Sequence, residues 1–372
     1  RLNQRYVYSL GAGNGFISRD NTKSISDLKP EETNSFEAGL DWKFFNNRFG
    51  IDATFYKNNT VNQLVLIGLP AASGFQTQYV NVGNIKNTGF ELMLSGNPIR
   101  KNSFQWNTYL NFGLNRNKII SLKEGITQTT LSPSTNFGQL IIKPGGSYGD
   151  IYGYGWAKDP ASGKYLINSN GLPVATSSQN QKLGNFNPDY TVGWSNTFEF
   201  KKYSLSFQVD GRVGGIIVSG TDALLSYYGV SDYTTKFRDG GLILPGVHSD
   251  GTPNTTAITS EKLWTTLSNG GRSSGYDEFF AFSATNFRLR ELSLGYTFDV
   301  HNSLIKDIRL SLTGRNLFFL YRGKSLIDIP GIGKRTLPVD PESALGTSNY
   351  QGIESGMPPV VRSFGLNLHL NF

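Results

Sequence analysis

The sequence contains no cysteine, which removes disulfide frameworks, thiolate metal sites and cysteine nucleophiles together. It has only three histidines, His248, His301 and His369, too scattered to form a metal cluster, so neither a metal nor a cofactor is expected. No stretch approaches the roughly 18 uninterrupted apolar residues of a membrane-spanning helix. If the chain crosses a membrane, it does so as strands. The charge of +7 is spread along the chain without a dense basic run, which reads as solvated loops and turns rather than a nucleic-acid arm. Hydrophobic residues make up 38% of the 372, lean for a packed soluble core, whereas aromatics reach 13% and glycines number 43. That balance suits a sheet with one apolar face.

Period two is complete at the end of the chain, where Phe364, Leu366, Leu368, Leu370 and Phe372 alternate with Gly365, Asn367, His369 and Asn371. A soluble edge strand shares this pattern, but an aromatic-terminated final strand resembles the assembly signal of bacterial outer-membrane barrels. Two hairpins repeat the alternation. Phe36, Ala38, Leu40, Trp42 and Phe44 precede a turn at Asn46 and Asn47, and Phe49, Ile51, Ala53 and Phe55 follow it. A two-residue turn there pairs Phe44 with Phe49, Trp42 with Ile51 and Leu40 with Ala53. The second hairpin turns at Lys201 and Lys202 and pairs Phe200 with Tyr203 and Phe198 with Leu205. In both, the opposite face carries Glu37, Asp41, Lys43, Asp52, Thr197, Glu199, Ser204 and Asp210, which would be costly in lipid and belong in a wet lumen.

Further strands are predicted around Phe90–Leu94, Phe104–Leu114, Leu292–Phe298 and Ile308–Leu317. Connections alternate between short (Asn46–Asn47, Gly96–Ser103, Lys201–Lys202, Asp299–Asp307) and long (Asn58–Lys86, Arg116–Tyr190, Gly214–Arg288, Phe319–Arg362). Outer-membrane barrels combine short periplasmic turns with long external loops in this way, so an antiparallel transmembrane β-barrel is expected. Extra strands must come in pairs, with Gln63–Ile67, Leu140–Ile142, Ile151–Gly155 and Tyr6–Leu10 as candidates, for a total of about nine to fourteen. That falls short of the roughly 22 of large plugged transporters. Open edges in lipid are costly, so the chain is expected to pair with an N-terminal half of the same barrel. It opens at Arg1 without methionine or an export signal, and the expectation is a processed, cleaved or missing N-terminus.

An ordered series of strings carries a closer likeness: Asn81–Glu91 (NVGNIKNTGFE), Asn115–Ile119 (NRNKI), Tyr148–Gly155 (YGDIYGYG), Leu183–Tyr190 (LGNFNPDY), Phe287–Phe298 (FRLRELSLGYTF), Thr313–Phe318 (TGRNLF), Asp340–Glu342 and Pro359–Phe372. From about Ser35 to the end, the chain resembles the SusC-like (SusC/RagA) branch of TonB-dependent outer-membrane transporters of Bacteroidetes. The resemblance implies that residues 1–372 are the C-terminal part of a 22-stranded barrel, with the plug and TonB box outside this sequence. It also implies energisation by TonB, a SusD-like surface lipoprotein as partner, import of an oligosaccharide or oligopeptide, and assemblies of two transporter–lid pairs.

Covalent chemistry is not expected. Facing leaves only His369 with Asp41 or Asp52 for a hydrolase, and the glycine-rich pieces Pro144–Ser147 and Gly211–Gly215 precede no helix start. Lys158–Gly171 superficially looks like a calcium loop but supplies a single carboxylate, Asp159, so a turn is expected. For ligand contact the loop Gly214–Arg288 stands out, because it carries Tyr227, Tyr228, Tyr233, Trp264 and Tyr276. Such rings stack on sugars or peptide side chains, or else fasten loop to loop; the sequence leaves both open. A passive porin and a secreted or adhesive β-rich binding protein remain the alternatives to an importer.

Overall fold

The computed structural model describes residues 5–371 except 12–13, 26–27, 70, 82, 132–136, 272–274, 301–304 and 346–350. Phe372 and His301 therefore lie outside the described residues. The main element is a sheet of nine antiparallel strands in simple meander order. These are β1 (Glu32–Phe44), β2 (Phe49–Val61), β3 (Asn84–Lys101), β4 (Phe104–Ser121), β5 (Tyr190–Phe200), β6 (Tyr203–Val213), β7 (Asn286–Asp299), β8 (Asp307–Arg322) and β9 (Ser363–Asn371). They are the strands read from the alternation, lengthened at their ends.

Both hairpin registers hold, with Phe44 opposite Phe49, Trp42 opposite Ile51, Phe200 opposite Tyr203 and Phe198 opposite Leu205. The first turn is longer than expected. Four residues, Phe45 to Arg48, connect β1 to β2, and Phe45, Asn46 and Asn47 all take positive φ, which asparagine tolerates and phenylalanine rarely adopts. The β3–β4 connection is shorter than the expected Gly96–Ser103. A bulge between Gly96 and Ile99 shifts the alternation by one, and β3 runs on to Lys101.

Continuous cross-strand rows separate the two faces. Trp42, Ile51, Leu94, Leu110, Trp194 and Val209 form one row across six strands, and Phe198, Leu205, Leu294, Leu312 and Leu366 form another across five. This face is not packed against anything: Trp42 is 56% exposed, Leu294 54%, Leu312 56% and Phe364 74%. Apolar surface on this scale requires a non-aqueous neighbour, which for a sheet of this length is lipid. Asn196 and Thr108 interrupt it, and each accepts from an indole: Trp106 Nε1 donates to Asn196 Oδ1 at 3.0 Å and Trp194 Nε1 to Thr108 Oγ1 at 3.0 Å. Near the short turns Phe44, Phe49, Phe104, Phe200, Tyr203 and Tyr296 gather as the aromatic girdle of an interface.

The packed core lies elsewhere, in the long connections. Residues 122–189, 214–285 and 323–362 contribute a buried cluster that includes Leu140, Ile151, Trp156, Leu263, Trp264, Phe279 and Ile353. The expected extra strand pairs correct to elements of this region. Leu64–Gly68 pairs with Thr77–Asn81 in a small sheet, while Gln139–Ile142 and Asp150–Gly153 join a four-stranded one. Tyr6–Gly11 pairs with Asn14–Arg19 as a separate hairpin. None extends the main sheet, whose edges β1 and β9 are unpaired on their outer sides among the described residues.

Two short helices stand in the third long connection, α1 (Gly220–Tyr227) and α2 (Ser260–Ser268). Ser219 and Thr259 cap them, each accepting a backbone N–H from three residues ahead.

Candidate functional site

On the polar face, alternation aligns Asp52, Asn111 and Asp210 on rows next to Thr54, Glu91 and Arg212. The concave wall they form bounds a cleft of about 720 Å³ that Arg290 and Glu342 complete. A second cleft of about 450 Å³ shares Glu91, Gly113 and Thr191 with the first and adds Asn115, Asn117, Asn185 and Asn187. Carboxylates, guanidinium groups and amides stand in both walls, beside apolar residues such as Met93 and Phe112. Such groups can bind sugar hydroxyls or a peptide backbone by hydrogen bonds and can hold charged ends.

Arg290 occupies its place because the ladder breaks around it. A bulge lies between Leu289 and Glu291, and opposite it Asn316 adopts φ 52°. Bulges re-aim a side chain, and here the guanidinium reaches the two flanking strands and a loop. Its Nε donates to Asp210 at 2.6 Å, Nη1 to Asn316 at 3.1 Å and Nη2 to Glu342 at 2.7 Å. Arg288, 2% exposed, pairs with Asp340 at 2.5 Å. The turn of chain at Asp340–Glu342, which belongs to the last long connection, is thereby fastened to the barrel wall at the rim of the cleft.

Above the cleft, the cap formed by the long connections has its own buried charge. Arg335 Nη1 meets Asp222 Oδ2 at 2.7 Å, with the side chains 2% and 0% exposed. Tyr233 donates its hydroxyl to Asp222 at 2.8 Å, and burial pushes its phenol up to about 12, so it keeps the proton it donates. Burial also raises the Asp222 carboxyl, while Arg335 and the tyrosine hydrogen bond pull it back. The guanidinium lies 4.9 Å from the Trp264 ring centre and 5.1 Å from that of Phe282.

The five ring residues singled out in the sequence divide. Trp264 is 1% exposed and packs on Tyr233 with ring centres 4.9 Å apart. Tyr276 donates its hydroxyl to the Pro173 carbonyl at 2.8 Å and packs against Phe279. These three fasten loop to loop. Tyr227 and Tyr228, 37% and 68% exposed, stand at the end of α1 and pack edge to face on each other with ring centres 5.2 Å apart. None of the five lines the two clefts.

Sequence reasoning missed Arg212, Arg290, Glu91, Asn111 and Glu342. For Arg290 the signal was present: in FRLRELSL, Phe287 and Leu289 are odd-numbered and Leu292 and Leu294 even-numbered, which marks a bulge between them. His369 lies on the polar row with Arg309, 3.1 Å from Asn371, and does not join Asp41 or Asp52 across a row. Asp159 accepts from Ser162 Oγ at 2.5 Å and Ser162 N at 2.9 Å, which makes it the closure of a turn and depresses its carboxyl.

A long-stranded meander with a lipid-facing apolar side, a charged concave side and a folded cap on its long connections defines the wall of a transmembrane β-barrel of the transporter or receptor class. The chain belongs to the TonB dependent receptor-like, beta-barrel family, whose model matches residues 1–213. This is a family of outer-membrane barrels. Among its relatives, TonB-dependent receptor P3 of Formosa agariphila is 24% identical over 93% of this chain and 34% of the relative. TonB-dependent receptor SusC of Bacteroides thetaiotaomicron is 23% identical over 97% of this chain and 34% of the relative. The chain thus spans about a third of the length of these relatives. The structure of the RagAB peptide importer in its open-open state superposes with a TM-score of 0.65 at 21% identity, over all of this chain and 38% of that one, which establishes a shared fold.

Proposed function

We propose that the chain is the C-terminal part of the barrel of a Gram-negative outer-membrane importer that carries a large polar nutrient, an oligosaccharide or an oligopeptide, inward under TonB control. In this reading further strands of the same polypeptide close the edges at β1 and β9, and a SusD-like surface lipoprotein covers the long connections. The observation that carries it is the pair of adjoining clefts, about 720 and 450 Å³, on the polar face beneath a folded cap. A passive pore needs neither a cap nor a clamp, and here Arg288 and Arg290 fasten Asp340 and Glu342 at the cleft rim. The similarity to SusC and to the RagAB fold supports the same reading.

The test uses the full-length protein in its own cell. Labelled oligosaccharides and oligopeptides are supplied to cells with the gene intact, deleted, or carrying Glu91→Gln with Asp52→Asn. Uptake of one class is expected to vanish on deletion and on dissipation of the proton-motive force, and to fall about tenfold in the double variant. Uptake that persists without the proton-motive force would identify a passive pore and overturn the proposal.

A further inference from the structure

The charges on the floor of the larger cleft do not all cancel. One cross-strand row runs Glu91, Gly113, Thr191 and Arg212 from β3 to β6, and the next runs Asp52, Met93, Asn111, Gly193 and Asp210 from β2 to β6. Asp210 is matched by Arg290 at 2.6 Å. At the other side of the floor Asp52 and Glu91 have neither an ion pair nor a hydrogen-bond partner among the described residues. Asp52 also lies directly opposite Asp41, whose own cation is Lys43 at 3.7 Å. Like charges in that relation destabilise a sheet, so this side of the cleft lacks a cation.

The β6 side lacks an anion. Arg212 donates from Nη2 to the Phe186 carbonyl, its Nε is buried without a partner, and no carboxylate among the described residues pairs with it. Glu342, on the same cleft, is already held by Arg290 at 2.7 Å and by Arg288 at 3.6 Å. A half-buried guanidinium without a carboxylate is costly until an anion reaches it, and its planar fork fits a carboxylate best.

Between these two ends the floor is bare. Gly113 and Gly193 stand in mid-strand, where glycine weakens the ladder. Neither takes a left-handed backbone, and packing requires neither: a Cβ on Gly193 would come no nearer than 3.9 Å to another residue, and one on Gly113 no nearer than 3.5 Å. Glycine at such places leaves room for a ligand to lie close to the sheet, with Asn111 and Thr191 beside it to hydrogen-bond a backbone.

Three strand spacings of about 4.8 Å separate Glu91 from Arg212, roughly 14 Å in all. An extended peptide rises about 3.4 Å per residue, so about four residues cover that span. A short peptide with free ends carries an ammonium and a carboxylate at that separation. A neutral glycan would compensate neither end of the cleft, and a uronic glycan would set its carboxylates against Asp52 and Glu91.

We infer that the cleft selects short oligopeptides by their termini, the ammonium on Asp52 and Glu91 and the carboxylate on Arg212. This rests on the importer reading and narrows its cargo to one class. Binding in detergent tests it apart from energised uptake.

The experiment measures, by isothermal titration calorimetry on the full-length assembly in mild detergent, the affinity of tetra-alanine with free ends, N-acetylated, and C-amidated. Blocking either end is expected to weaken binding about tenfold, the loss of one charge-assisted hydrogen bond. Arg212→Gln should remove the penalty for amidation and keep the penalty for acetylation. Asp52→Asn with Glu91→Gln should do the reverse. Gly193→Val, which fills the floor, should weaken all three peptides alike. Heat-modifiable migration in each variant shows that the barrel has assembled. Equal affinity for free and blocked peptides, or binding of a neutral or uronic tetrasaccharide in place of the peptide, would overturn the inference while leaving energised uptake intact. Arg212→Gln that weakens all three peptides alike would make Arg212 a structural residue and overturn it as well.

Discussion

Replacing Asp222 by alanine should unfasten the cap while leaving the barrel assembled. Arg335 and Asp222 are 2% and 0% exposed, and their contact of 2.7 Å is supplemented by the Tyr233 hydroxyl at 2.8 Å from Asp222. Removing one partner of such a pair leaves an uncompensated buried cation, which costs about 3 to 5 kcal/mol. At about 1.4 kcal/mol per decade, the open population of the cap rises some hundred- to several-thousandfold. The nine-stranded ladder shares no hydrogen bond with this pair, so the loss falls on residues of the long connections. Limited proteolysis of the full-length protein in detergent reads it directly: new cleavage is expected within 214–285 and 323–362, with heat-modifiable migration unchanged. Arg335→Met combined with Asp222→Leu should recover most of the resistance, because apolar replacements of similar volume leave no buried charge. Wild-type resistance in Asp222→Ala, or a double variant as labile as the single, would refute the reasoning.

Placing lysine at Leu366, in the apolar row with Leu312 and Leu294, should cost up to about 2 to 4 kcal/mol, the value for the membrane midplane, read as less heat-modifiable protein in outer-membrane fractions. Trp264→Ala empties a fully buried ring site and should destabilise the cap by about 3 to 5 kcal/mol in proteolysis or thermal unfolding. Tyr228→Ala, at 68% exposure, should change cap stability by less than about 0.5 kcal/mol; any larger effect on uptake would mark it as a contact for cargo or lid. Asp340→Ala leaves the buried Arg288 only its longer contact with Glu342, 3.6 Å, and should loosen residues 339–345 at the Asp340 end while Arg290 still holds Glu342, seen as new cleavage within that segment alone.

The strands were legible because alternation is a local property: once Trp42 and Ile51 share a face, one register satisfies both hairpins, and it is the register observed. Where the alternation slips, the reading faltered. The bulge at Gly96 hid the last turns of β3, and the bulge at Arg290 hid the residue that gathers Asp210, Asn316 and Glu342. The cap was the least legible part. Its core joins Leu140, Trp264, Phe279 and Ile353 from three different connections, and no local period announces contacts of that separation. Trp264 and Tyr228 look alike in sequence, two rings in one glycine-rich loop. Only the fold separates the one that fills a core from the one that faces water.

Which face of the main sheet meets lipid decides whether it is a barrel wall. Spin labels at single introduced cysteines from Phe36 to Phe44, in full-length protein reconstituted in bilayers, measure it by collision with oxygen and with a water-soluble nickel chelate. A period of two is predicted, with oxygen favoured at Phe36, Ala38, Leu40 and Trp42 and the chelate favoured at Glu37, Gly39, Asp41 and Lys43. Equal access of the chelate to both sets, or the opposite phase, would contradict the barrel account.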